Sequence, residues 1–409
     1  MLEITNLFCP LDHPQSRLDE LIVRKLKISP SQLIRWTIVR KSLDARRQPH
    51  FVYAVQVQVQ DQRRVLTRRI PGVRAIEPPP VYQLPRPARL PVTRPIVVGA
   101  GPCGLFAALA LAEVGLCPIV LERGAPVEQR VEQVERYWQS GIPDPESNVQ
   151  FGEGGAGTFS DGKLTTRVRD PRIHKVNQEL IEAGAPEEIA TLAHPHIGTD
   201  QLRSIVRRLR EKIIALGGEV HFHTRMDHLL LDQGRICGVS TSRGEWTGKA
   251  VVLALGHSAR DTFEALLQQN VFLEAKDFAI GVRVEHLQQH IDQAQYGSFA
   301  GDPRLKPAEY RLTFQSANGR GVYTFCMCPG GQVVASASDR ESIVTNGMSV
   351  YARDGLNANS AVLVQVRRSD FGNGPLDGIR YQKNLEHQAW ILGGRKGFAP
   401  CQRDDDYLR

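Results

Sequence analysis

Apolar residues in the first seventy positions follow two different periods. Leu18, Leu21, Ile22 and Leu26 recur at helical spacing, and Ser16 with Asp19 has the form of a capping box at the start of that helix. Further on, Phe51, Tyr53, Val55, Val57 and Val59 alternate with Gln56, Gln58 and Gln60, the period of two expected of a half-buried strand. One helix laid on a small sheet accounts for both, so residues 1–70 are predicted as a small α+β module. Between 71 and 94 the periodicity stops. Seven of these 24 residues are proline, including Pro78, Pro79 and Pro80, which predicts a semi-rigid spacer and a domain boundary.

The next pattern is a buried strand, a glycine turn, an Ala/Leu-rich helix and a second buried strand. It runs from Pro95-Ile-Val-Val-Gly99-Ala-Gly101-Pro102-Cys-Gly104 to Pro118-Ile-Val-Leu-Glu122-Arg123-Gly124. That order is the one a dinucleotide-binding βαβ unit requires. Gly99 permits the tight turn, Gly101 lets the backbone approach a pyrophosphate, and Gly104 lets the helix pack close to the strand. Phosphates then sit at a helix N-terminus, where unpaired N–H groups and the macrodipole favour negative charge. Glu122 follows Gly99 by 23 residues, at the end of the second strand, where an acid reaches a ribose hydroxyl. Glycine, proline and Glu113 interrupt the apolar run around 96–121, so it is expected to be buried and not to span a membrane.

From 152 to 162, five of eleven residues are glycine, too much backbone freedom for a helix or strand and typical of a place where a ligand approaches the main chain. Leu202, Ile205, Val206, Leu209, Ile213 and Leu216 then form an amphipathic stripe that Asp200 is placed to cap. Strand-like runs at 219–223, 227–231 and 236–240 precede Ala250-Val-Val-Leu-Ala-Leu255-Gly256, predicting an antiparallel meander inserted before a last parallel strand. From about 270 the alternating runs Phe278 to His286 and Gly321 to Gly331 predict a second, more antiparallel domain. The fold class expected is α/β: a Rossmann-like domain over 95–270, the small α+β module 1–70 before it, and an α+β substrate domain over 271–409.

Charge is unevenly placed along the 409 residues. Residues 1–94 hold 17 Lys+Arg and 7 Asp+Glu, a balance of +10 within a chain of net charge +7, so the basic character belongs to the first segment. Arg24, Lys25, Arg35, Lys41, Arg63 and their neighbours, with Trp36, Phe51 and Tyr53 nearby, raise RNA or an acidic electron-transfer protein as partners, although no nucleic-acid motif accompanies the charge. Seven cysteines without a CxxC pair, and a start without a sustained apolar stretch, point to a reducing cytoplasm. His194-Pro-His196 and His221-Phe-His223 each offer two metal ligands without a third; Cys326 and Cys328, which would share one face of a strand, offer a redox pair or half of a metal site, with reduced core thiols the expected reading.

The stretches Asn148 to Leu164, Phe278 to His286, Tyr323 to Gly331 and Asn346 to Ser349, together with Ser42 to Arg46, resemble the bacterial family of uncharacterised FAD-dependent dehydrogenases, which are similar to p-hydroxybenzoate-hydroxylase-like flavoproteins. The resemblance covers essentially the whole chain. It implies FAD as cofactor, with NAD(P)H as a candidate electron donor and a small-molecule substrate. It implies that Gly99, Gly101, Pro102 and Gly104 meet the pyrophosphate, Glu122 the adenosine ribose, and Arg123 and Arg130 the phosphates or ribose. Met226 would present its backbone to adenine, and Gly256 would lie near the cofactor. The loop carrying Gly154, Gly155 and Gly157 would run along the flavin, with Ser160, Asp161 and Lys163 as candidates for charge stabilisation at the ring. The late segment with a Gly-Glu or Gly-Asp pair that completes such sites is not found before Arg409, so the final FAD-binding segment is expected to be missing. The readings carried forward are an FAD-dependent oxidoreductase, a basic nucleic-acid-binding or protein-binding flavoprotein, and an inactive truncated flavoprotein.

Overall fold

The computed structural model describes every residue except 78–81, 167, 169, 408 and 409. The polyproline stretch Pro78 to Pro80 lies outside the described residues. Contacts divide the chain into two compact units, one of residues 1–83, 163–197 and 287–309 and one of residues 84–162, 198–286 and 310–409. This division is not the linear one of the four segments, because the chain leaves and re-enters each unit.

The first unit is built on the strands β1 (Leu2–Pro10), β2 (Leu33–Asp44), β3 (His50–Val59) and β4 (Val73–Ala75), with the helices α1 (Leu18–Leu26) and α2 (Gln62–Thr67). The sheet order β2-β3-β1-β4, antiparallel throughout, is the split-βαβ or ferredoxin-like arrangement. Both sequence periods converge on its core, where Leu18, Leu21, Ile22 and Leu26 of α1 meet Tyr53, Val55 and Val57 of β3. Burying each such side chain contributes about 1.5–3 kcal/mol. The capping box at Ser16 does not form. Arg17 occupies the cap of α1 without a side-chain bond, because a short 3-10 turn over Gln15–Arg17 already closes the chain through Arg17 N–H to the Pro14 carbonyl at 3.0 Å. Trp36 and Phe51 pack against the same core as Tyr53, and the Lys41 ammonium sits 4.6 Å from the Phe51 ring centroid. Trp36, Phe51 and Tyr53 thus take part in the module's own packing. Towards the C-terminal end of the edge strand β2, Lys41 N–H donates to Thr191 O at 2.7 Å and Lys41 O accepts from Ala193 N–H at 2.9 Å.

The second unit opens with β5 (Ile96–Val98), α3 (Pro102–Glu113), β6 (Ile119–Leu121) and β7 (Glu219–His221). The meander β8 (Met226–Asp232), β9 (Arg235–Thr241) and β10 (Gly244–Thr247) precedes β11 (Val251–Leu253). Strands β11, β5, β6 and β7 form a parallel sheet in that order, so the run at 219–223 joins this sheet and not the meander. Ile96, Val98, Ile119 and Leu121 share a core with Met226, Leu229 and Val239 of the meander. The long helix Thr199–Ala215 starts at Gly198 and not at an Asp200 cap: the Asp200 carboxylate instead accepts from Tyr351 N–H at 2.8 Å.

The remaining sheets of this unit contain antiparallel pairs. Strands β12 (Phe278–Leu287), β13 (Thr313–Gln315), β14 (Gly321–Cys328), β15 (Gln332–Ala335), β16 (Thr345–Met348) and β17 (Asn357–Val366) make a sheet of order β12-β17-β14-β13 and the hairpin β15-β16. The end of the hairpin strand β15 is fixed to the helix Val127–Ser140 and the loop after it. Trp138 Nε1 donates to Ala335 O at 2.9 Å, Ala337 N–H donates to the Tyr137 hydroxyl at 3.2 Å, and Gln150 Nε2 donates to Ser336 O at 3.1 Å. Among the described residues no helix is long and apolar enough to cross a membrane.

Candidate functional site

The C-terminal ends of β5, β6 and β11 surround a cavity of about 310 Å³, within the range of small-molecule sites. Open parallel sheets bind ligands at this end, where loops leave the strands. Its floor is the glycine turn. Gly99 has φ of +102° and would bring a Cβ to 2.4 Å from Ala254 O, and a Cβ on Gly104 would lie 1.8 Å from Gly99 O. These two positions therefore set the close approach of α3 to the strands. Gly101 differs: its backbone is ordinary, and an added Cβ would meet only Gly155 Cα, at 3.9 Å. A side chain at Gly101 is compatible with the fold but would project between the start of α3 and the loop that faces it. Pro102 takes the first helical position, where a missing N–H is harmless, and the N–H groups of Cys103 and Gly104 have no partner within the helix.

Glu122 directly follows β6 and is only 4% exposed. Its Oε2 accepts from Ala100 N–H at 2.7 Å, and its Oε1 accepts from Gly124 N–H and Gly152 N–H, both at 2.9 Å. A carboxylate offers about four lone-pair positions, so these three bonds leave one, on Oε2. The same acid that faces the cavity thereby ties the glycine turn to the glycine-rich loop. That loop is also held by Gly154 N–H on Ala100 O at 2.8 Å, and Gly155, Ala156 and Gly157 line the cavity opposite Gly101 and Pro102.

Arg123 lines the cavity, stacked over Phe151 with 4.2 Å between guanidinium carbon and ring centroid. Its charge is already balanced, by two bonds to Asp261 at 2.9 Å and one to Glu146 at 3.0 Å. Arg225, also in the lining, is paired with Asp227 at 2.9 Å and with Glu146 at 2.7 Å. With both arginines neutralised, attraction for an anion in this cavity rests on the N–H groups at the start of α3. Met226, Thr224 and Gly256 also line the cavity, Gly256 with φ of +67°.

Six sequence candidates are not part of the lining: Gly104 and Gly154 pack just behind it, and four more are held elsewhere. Arg130 is fully buried and spends its guanidinium on the loop, donating to Asn148 O, Val149 O and Gly155 O at 2.8 Å and to Glu153 O at 2.6 Å. Burial pushes it down to about 10, still protonated at neutral pH. Ser160 closes a turn, donating to Gly157 O at 2.7 Å and accepting from Gly162 N–H at 3.0 Å. Asp161 is buried in a two-bond ion pair with Arg353 and accepts from the Ser349 hydroxyl. Lys163 belongs to the first unit, where its backbone bridges that of His196.

Sequence reasoning overlooked Cys103, His257 and Ser258, all in the lining. The signal for the last two was their position directly after the strand-end Gly256. His257 Nδ1 and the Ser258 hydroxyl lie 2.9 Å apart, and partial desolvation of this exposed ring together with the Arg260 charge holds the imidazole below its ordinary value.

Residues 277–409 match the family model described as FAD-dependent protein, C-terminal domain-like, and residues 1–58 match one described as a domain of unknown function. The chain is 44% identical over 418 residues to an uncharacterized protein of Clostridium beijerinckii, covering 100% of this chain and 78% of that one. Over 190 residues it is 25% identical to the digeranylgeranylglycerophospholipid reductase of Methanocella arvoryzae, covering 44% of this chain and 43% of the reductase. The crystal structure of Thermovibrio ammonificans THI4 aligns at 18% identity and a TM-score of 0.30, over 44% of this chain and 64% of that one, a likeness too low to carry an argument. Less than two thirds of the reductase and of THI4 is therefore spanned.

Proposed function

We propose that this chain, which belongs to one family with the Clostridium beijerinckii protein, is an oxidoreductase that binds FAD with its ADP half in the cavity at the ends of β5, β6 and β11. The observation that carries this reading is the meeting, in one cavity, of the start of α3 with Glu122. The residues fit the group. Gly101 leaves open the space that a Cβ would take, the N–H groups of Cys103 and Gly104 suit a pyrophosphate, and the remaining lone pair on Glu122 Oε2 suits a ribose hydroxyl. The backbone from Thr224 to Met226 would border adenine, and Gly154 to Gly157 would follow the cofactor from the opposite side. When bound, FAD supplies two-electron transfer, and the protein's part is to hold and orient it and to exclude water. NADH and NADPH are the donors to test first.

Reconstitution tests the reading directly. After incubation with FAD and desalting, the protein is expected to retain visible flavin absorbance and to have Cys103, which is exposed in the cavity wall, protected from a maleimide reagent. Absence of flavin bands together with unprotected Cys103 defeats the proposal. Bleaching of those bands by NADH or NADPH would then identify the donor.

A further inference from the structure

On a regular strand, Cys326 and Cys328 would share a face, separated by two residue rises, or roughly 6.5 Å. Strand β14 is not regular there. Its register against β17 shifts between Phe325 and Cys328, and Cys326 has φ of +46°, a left-handed conformation uncommon for a residue with a side chain. This bulge turns the chain so that Cys328 Sγ lies 3.3 Å from the Cys326 carbonyl oxygen and 4.0 Å from Cys326 Sγ. The Arg283 guanidinium donates to that same carbonyl oxygen at 3.1 and 3.4 Å, setting a fixed positive charge beside the first cysteine. Cys326 is partly exposed, whereas Cys328 is buried. Among the described residues no group of three His, Cys, Asp or Glu is placed to hold a metal, so the chemistry available here is that of two adjoining thiols.

We propose that Cys326 and Cys328 are a redox-active dithiol that reduces small, water-soluble disulfides and is itself converted to an internal disulfide. The partly exposed Cys326 attacks as thiolate on one sulfur of RSSR, forming a Cys326–SR mixed disulfide and releasing RS⁻, which takes up the proton that Cys326 lost. Cys328, held against Cys326, then attacks Cys326 Sγ, breaks the mixed disulfide, and releases a second RSH with the proton from its own thiol. Two electrons leave the pair, and one RSSR becomes two RSH. Partial exposure of the attacking sulfur, burial of the resolving sulfur and an electropositive setting are the conditions under which such exchange is selective. The strained φ at Cys326 is the kind of local cost that persists where a reactive geometry is maintained. No bound cofactor is needed for this step, so its outcome is independent of the flavin reading.

Trypsin releases residues 321–340 as one peptide whose only cysteines are Cys326 and Cys328. The full chain is equilibrated in glutathione buffers of rising oxidised fraction, alkylated with maleimide and digested. The expected result is passage of this peptide from doubly alkylated to unalkylated, two hydrogens lighter, without build-up of a glutathione adduct. Cys328→Ser is expected to stop at the Cys326 mixed disulfide, and Cys326→Ser to form no disulfide within this peptide. A wild-type peptide that stays doubly alkylatable across the series, or that stops at the mixed disulfide, overturns the proposal without need of either variant.

Discussion

Glu122 Oε1 lies 2.9 Å from the backbone nitrogen of Gly152, joining the acid at the end of β6 to the first glycine of the loop across the cavity. One carboxylate thus shapes the wall of the site and faces its interior. Replacing Glu122 by Ala strands three buried N–H groups, each at a cost of about 1–3 kcal/mol. We expect Glu122→Ala to weaken FAD binding at least tenfold and to open the 152–163 loop to protease. Fluorescence titration and limited proteolysis check the two effects separately, and unchanged proteolysis would show that the loop is held by its other bonds alone.

The glycines of the turn should separate by mechanism. Gly101→Val adds bulk where the nearest atom to a new Cβ is 3.9 Å away, so it is expected to abolish FAD retention while the melting temperature of the protein without cofactor stays close to wild type. Gly104→Ala forces a contact with Gly99 O inside the helix-strand packing and should destabilise by about 1–3 kcal/mol. Thermal melts of both variants without FAD decide the matter, and equal melting temperatures would contradict the distinction.

Arg130 satisfies four backbone carbonyls with a planar fork that lysine cannot reproduce. Arg130→Lys is therefore expected to behave like Arg130→Met, both losing more than about 3 kcal/mol because hydrogen bonds to a charged donor contribute roughly 1.5–3 kcal/mol each. Urea unfolding of the two variants provides the measurement. Substantial rescue by lysine would show that charge, and not fork geometry, is what the loop requires.

Glu153 gives the stability a pH dependence. Burial pushes its carboxyl up to about 7, outweighing the Val127 N–H at 2.8 Å and Arg210 at 3.0 Å, which both act on Oε2, and Oε1 is buried without a hydrogen-bond partner. Between the ordinary value of 4.5 and about 7, the folded state holds a proton that the unfolded chain has released. Stability must then fall as pH rises through that window. Glu153→Gln lacks the titration, so its stability relative to wild type should rise from pH 4.5 to pH 7 and level off above. A difference that is flat with pH, in urea melts across this range, would contradict it.

How much was legible in the sequence follows from distance along the chain. Gly99, Gly101, Gly104 and Glu122 were readable because a strand, a turn, a helix and an acid occur in fixed order within 24 residues, and the cavity forms around them. The periods of α1 and β3 were readable for the same local reason. The pairing of Asp161 with Arg353 was not, since 192 residues separate two common residue types and only the completed fold brings them together. Arg130 illustrates a different failure: its family-like position suggested a ligand contact, while its bonds go to carbonyls that no side-chain pattern reveals. The cap at Ser16 failed because a short turn already closes the chain before α1, and the one at Asp200 because a tertiary donor, Tyr351 N–H, takes its carboxylate.

The two hydrogen bonds between Lys41 and the chain at 191–193 bear on how the first unit behaves in a crowded solution. Strand β2 is twelve residues long and lies at the edge of its sheet, a row of main-chain groups on which another extended chain would otherwise template itself. A short staple at Lys41, the ninth of its twelve residues, divides that row into stretches of eight and three residues and so shortens any uninterrupted pairing surface. Removal of residues 191–193 would therefore show itself first as self-association of the protein, before any loss of helix or of the core beneath the sheet.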